Sequence, residues 1–187
     1  MIYISKGIVG KGSTTELVQV IRGGRSIYLS GREADLWLKG RFSFSFSQTA
    51  EEERTLHHLV RMGLAEMEPE ESNDTRYQIL TRCICCPAKA AKRKIGLSMG
   101  EKTVLSWLVN AGIRLSTAEL VYLIENKVEA EPKFFYPDNR QELIEAIYTA
   151  DTIMDNILEN QMAVAGCRDR VVQSILSLLK KKKLLIL

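Results

Sequence analysis

No apolar run in the chain approaches the roughly 20 residues that a membrane-spanning helix needs, so no membrane anchor is expected. Histidine is scarce, with two in 187 residues, and cysteine is limited to four. That scarcity weighs against a tetrahedral zinc site, which is usually built from two spaced ligand pairs. Cys83, Cys85 and Cys86 form one compact group, and Cys167 is the remaining thiol. They read as buried small hydrophobes, and no metal is expected. The opening Met1–Lys11 has a short apolar stretch and no small-residue cleavage site, so it does not read as a signal peptide. A cytoplasmic protein with reduced thiols follows as the expectation. Only 7% of residues are aromatic, and Trp37 and Trp107 each sit among apolar neighbours, as core anchors do.

Catalytic constellations are also missing. His57 and His58 have no cysteine or paired acid at catalytic spacing, and Asp151 and Asp155 fit a solvated helix face. The start MIYISKGIVGKGSTT resembles the deviant phosphate loop of ParA-like ATPases. It departs where magnesium would be held. Lys11 is followed by Gly12, and no later apolar strand ends in a second metal-side acid. No catalytic residue and no cofactor are therefore assigned, and a binding protein is expected in preference to an enzyme.

What the chain does have is a local basic excess and a series of helix-start signals. Residues 1–82 hold 11 basic and 11 acidic side chains, and residues 83–187 hold 15 and 12, so the net +3 lies in the second part. It concentrates at Lys89–Lys94 and Arg168–Lys183, which suggests a polyanionic partner. A capping box satisfies two orphan helix donors reciprocally, and it leaves a Ser/Thr-x-x-Glu trace. Ser13–Glu16, Ser30–Glu33, Thr49–Glu52, Ser98–Glu101 and Ser116–Glu119 carry it, with Asn139–Glu142 as a variant. They predict helices near 13–22, 30–40, 49–62, 98–111, 116–126 and 140–163, with one more over 168–181. Leu64–Met67 and Tyr77–Ile84, separated by the polar turn Glu68–Asp74, are expected to pair as a hairpin.

The helix–Gly63–Leu64 junction, the turn, and Tyr77-Gln78-Ile79-Leu80-Thr81 resemble winged helix-turn-helix regulators of the MarR-like and PadR-like kind. The resemblance covers about 13–84 and extends to 98–187 by order of elements. It implies a mainly α fold with short β-hairpins, arranged as tandem winged-helix-type modules. The first would span 1–86, a basic linker 87–97, and the second module 98–187, with the long helix 140–163 inserted.

Such families read DNA with a helix in the major groove while basic residues hold phosphates. Over 168–181, Val171, Val172, Ile175, Leu176, Leu178 and Leu179 make the apolar side, leaving Arg170, Gln173, Ser174, Ser177 and Lys181 as one polar stripe. Together with Arg168, Lys180, Lys182 and Lys183 these are the expected contacts to double-stranded DNA. Arg54, His58, Arg61 and Arg76 are weaker candidates, because Glu51, Glu52 and Glu53 repel phosphate at the start of their helix. Leu143, Ile147, Met154 and Ile157 follow seam spacing and suggest a homodimer. Two functions stay open. One is a DNA-binding transcription regulator or replication or segregation accessory factor. The other is an adaptor whose modules bind a peptide or partner subunit.

With the phosphate loop broken at Gly12, magnesium-dependent ATP hydrolysis is expected to be absent in a phosphate-release assay. Activity that disappears in Lys11→Ala would show otherwise.

Overall fold

The computed structural model describes residues 1–92, 95–111, 115–125, 127–130 and 166–187. Its centre is β1 (Ile2–Ser5), four residues that are all buried. β1 is the middle strand of an antiparallel sheet, between β5 (Ser45–Phe46) and β6 (Ala65–Glu68). Ile2 lies opposite Glu68 and Ser5 opposite Ala65 on one side, and Tyr3 lies opposite Ser45 on the other. Successive strand side chains point to opposite faces, and here each face meets a different core. Tyr3 packs with Trp37, Leu56, Leu59 and Leu64, while Ile2 and Ile4 join Trp107, Val121 and Leu179.

The first core is covered by the small sheet β2 (Ile8–Val9), β3 (Leu17–Arg22) and β4 (Arg25–Ser30), then by α1 (Gly31–Lys39) and α2 (Ala50–Arg61). The helix expected over 13–22 is not present. Ser13 does not cap a helix: its hydroxyl accepts from the Gln19 amide at 3.0 Å and donates to the Gly10 carbonyl. The physical reason lies at Gly23 and Gly24, whose φ values are +55° and +76°. Two successive left-handed residues make the tight turn that closes a two-residue hairpin, and Val20 and Leu29 then face the core.

The expected pairing of Leu64–Met67 with Tyr77–Ile84 is also replaced. Residues 65–68 form β6 and take β1 as their partner, and α3 (Asn73–Thr81) occupies most of the other segment. Ser72 caps that helix by accepting from the Thr75 amide at 2.9 Å. The helix-to-Gly63 junction forms as expected. Gly63 has φ +72°, its amide reaches the Val60 carbonyl, and buried Leu64 donates to the Leu59 carbonyl.

The second core holds α3, β7 (Cys85–Pro87), a 3-10 turn (Lys89–Lys92), α4 (Met99–Ala111), α5 (Thr117–Glu125), α6 (Gly166–Lys180) and β8 (Leu184–Ile186). Strand β8 pairs with β7, so Cys86 lies opposite Leu185. Ile2, Ile4 and residues from Tyr77 to Cys85 are buried with the second set of helices, and Ala91 in the expected linker is buried too. Among the described residues the architecture is mixed: six α-helices with small antiparallel sheets. No helix among them is long and apolar enough to cross a membrane. The expected helix 140–163 and its seam residues lie outside the described residues.

Because β1 contributes to both cores, they should unfold together. Urea titrations of Trp107→Phe and Trp37→Phe, which leave one reporter in each core, are expected to give coincident transitions. Ile4→Ala should lower both by about 2–5 kcal/mol. A shift confined to the transition reported by Trp107 would contradict this coupling.

Candidate nucleic-acid interface

Helix α6 forms where its apolar spacing predicts. Val171, Val172, Ile175, Leu176, Leu178 and Leu179 are all buried, and α6 packs against α3, α4 and α5. Its end is a left-handed closure. Lys182, at φ +55°, donates to the Leu179 carbonyl, and Lys183 donates to the Leu178 carbonyl. Glycine usually fills such a position, and a lysine held there carries a backbone cost.

The predicted polar residues divide into two sets. Arg168 is buried. Its guanidinium meets Asp74 at 2.6 Å and Asp169 at 3.0 Å, and it lies over the Tyr77 ring. Ser177 donates to Glu101 Oε1 at 2.6 Å, Lys181 Nζ donates to the same carboxylate at 2.7 Å, and Lys183 Nζ donates to the Ala90 carbonyl. Ser174 donates to the Arg170 carbonyl. Apart from Ser174, whose bond stays within the helix, these groups hold α6 to its surroundings. Arg170, Gln173, Lys180 and Lys182 remain exposed.

Two concavities flank this face. One, of about 400 Å³, runs between the start of α4 and α6 over Ser98, Glu101, Ser174 and Lys181. The other, of about 220 Å³, lies between α3, α6 and the segment after α1, against Ser43, Phe44, Arg76, Gln173 and Lys180. Beside the second, the Phe42 ring meets two cations. Arg41 lies 4.6 Å and Lys182 5.5 Å from its ring centre, and Arg41 also lies over Trp37. Burial lowers the Arg41 pKa. The sequence offered no local sign that Arg41 and Phe42 would meet Lys182, since the contact spans most of the chain.

Glu101 was visible as a capping residue, and it does accept from the Ser98 amide at 2.7 Å. Its second role, binding Ser177 and Lys181, was not visible. Burial alone would raise its pKa, but the hydrogen bonds from Lys181, Ser177 and Ser98 outweigh that and bring it down to about 2.

The weaker candidates are scattered. Arg54 and Arg61 are exposed on α2, His58 sits 3.6 Å from Glu33, and Arg76 is paired with Glu71. Of these, only Arg76 reaches the α6 face. The thiols of Cys83, Cys85 and Cys86 are buried. Burial pushes Cys83 and Cys85 up to about 12, which leaves them protonated at neutral pH. In the glycine loop, the Gly10 and Gly12 amides donate to the main-chain and side-chain oxygens of Gln19.

No known family model, curated protein or solved structure matches this chain.

A carboxylate held below its ordinary pKa stabilises the fold above its unfolded value and loses that contribution as pH falls. Glu101→Gln should therefore lower the melting temperature at neutral pH. The gap to wild type should close between about pH 4.5 and about pH 2, as wild-type Glu101 becomes protonated. A gap that stays constant over that range in thermal melts would contradict the assignment.

Proposed function

We propose that this protein binds double-stranded DNA, gripping the phosphate backbone with the polar face of α6 and the segment that follows α1. The observation that carries this reading is the gathering of cations at the end of α6, one of which, Arg76, is shared with Glu71. Lys180 and Arg76 line one concavity, and Lys182 and Arg41 share the Phe42 ring beside it. Arg170 stands exposed further back along α6, roughly 15 Å from Lys180 at 1.5 Å per residue. The left-handed Lys182 supports the same reading, because a backbone cost is retained where a cation stands next to an aromatic ring. Ser177 and Lys181 are tied to Glu101, so base-edge contact rests on Arg170 and Gln173 alone, and phosphate contacts dominate. The order α4, α5, α6, β8, with β8 returning to β7, supports a winged-helix-like second half. A transcription regulator or an accessory factor in replication or segregation fits such a module.

A protein-interaction adaptor is favoured by one specific observation. The outward face of the small sheet exposes Ile8, Leu17, Ile21 and Tyr28, the last at 57%. Apolar exposure of this kind marks interaction sites.

Neutralising each phosphate contact reduces the salt dependence of binding by nearly one counterion. Lys180→Ala with Lys182→Ala is expected to flatten the slope of log affinity against log salt by about two. Lys181→Ala should leave that slope unchanged, and Arg170→Ala should cost roughly 1–3 kcal/mol on a preferred sequence. Fluorescence anisotropy with a labelled duplex reads all three. No duplex binding at low salt would rule out the DNA reading and shift the function to the sheet face.

A further inference from the structure

We infer that the concavity between α3, α6 and the segment after α1 is a seat for a phosphate dianion, either inorganic phosphate or a phosphate monoester. Arg76 carries a buried donor. Arg76 lines this cavity, and its Nε–H is shielded from solvent without a hydrogen-bond partner, while another guanidinium nitrogen pairs with Glu71. An unsatisfied donor on a charged group is costly, and because this Nε–H is sealed from a water-sized probe, an oxyanion in the cavity meets it by drawing the Arg76 side chain toward itself. Around it stand further donors from separate elements. Lys180 supplies an exposed ammonium, Gln173 a side-chain amide, and Ser43 a hydroxyl. Ser177 also borders the cavity, but its proton is committed to Glu101, so it offers only acceptor capacity. Arg76 and Lys180 against the single carboxylate of Glu71 leave a local charge of +1, which favours an anion.

Size and walls narrow the class. About 220 Å³ is several times the roughly 30 Å³ share of one water molecule, so a tetrahedral oxyanion fits with a few attached atoms. Phe44 and Leu176 form apolar walls on which those atoms can rest. Three kinds of donor lining one small cavity suit the three free oxygens of a terminal phosphate better than a carboxylate. The seat does not depend on DNA binding, because free phosphate is measured directly.

The test is calorimetric titration of the whole protein with inorganic phosphate, against chloride at matched ionic strength. Saturable binding to one site is expected. Lys180→Ala, at an exposed position where folding is not at stake, should weaken it roughly tenfold or more, as expected for losing one charge-assisted hydrogen bond. Arg76→Lys, which keeps the charge and removes the Nε–H, should weaken it as well. A 5′-phosphorylated oligonucleotide that competes with phosphate, where its 5′-hydroxyl twin does not, identifies a phosphate monoester as the occupant. Competition by neither identifies free phosphate. Absence of saturable phosphate binding, or binding unchanged in both variants, would overturn the proposal even if duplex DNA binds normally.

Discussion

The structure depends on a strand that has no solvent side. In an ordinary two-layer domain a strand buries one face and wets the other, but Ile2–Ser5 is buried on both and hydrogen-bonded along both edges. Tyr3 shows how tightly this is held, since its hydroxyl donates to the Leu36 carbonyl at the end of its burial in the first core. Directly after the strand, buried Lys6 reaches Glu66 at 2.5 Å, and its carbonyl accepts from the Trp37 indole. The Gly7 amide then donates to the Ile186 carbonyl. Six consecutive residues thus connect both cores, and the mutual position of everything else follows from that connection.

Where a structural decision was local, the sequence displayed it. The boxes at Thr49, Ser98 and Ser116 form with the amide partners three residues on, because a cap needs only its own first turn. The buried side of α6 was legible for the same reason. The box at Ser13 misled because the same residue types also organise loops, and Thr14 there accepts from the Leu17 amide in a turn. A better signal was available in Arg22-Gly23-Gly24-Arg25 between alternating apolar residues. Residues 65–68 could not be placed from their neighbours, because their strand partner lies at the other end of the first core's chain segment. The site shows the same limit. The polar residues of α6 were visible, but not which of them Glu101 and Asp74 would claim from distant helices.

That division among the cations gives the α6 face its character. Charges that are compensated inside the protein cannot also neutralise a ligand, so counting basic residues overstates what the surface offers. What remains is an uneven surface, dense at the Lys180–Phe42 end and sparse toward Arg170. On the proposed reading, a polyanion would be held more firmly at the Lys180 end than at the other.

The two-faced strand also sets an order of events during synthesis. Chains emerge from the ribosome amino end first, and folding proceeds as segments become available. Tyr3 can find Trp37, Leu56 and Leu59 early, but Ile2 and Ile4 require Leu179 and Ile186, which are made far later. Until then the growing chain carries an apolar strand face whose cover is incomplete. Such a face is what holdase chaperones bind and what promotes aggregation. Completion of the fold therefore waits for the last-made residues, because the Ile2 and Ile4 face of β1 lacks Leu179 and Ile186 until then.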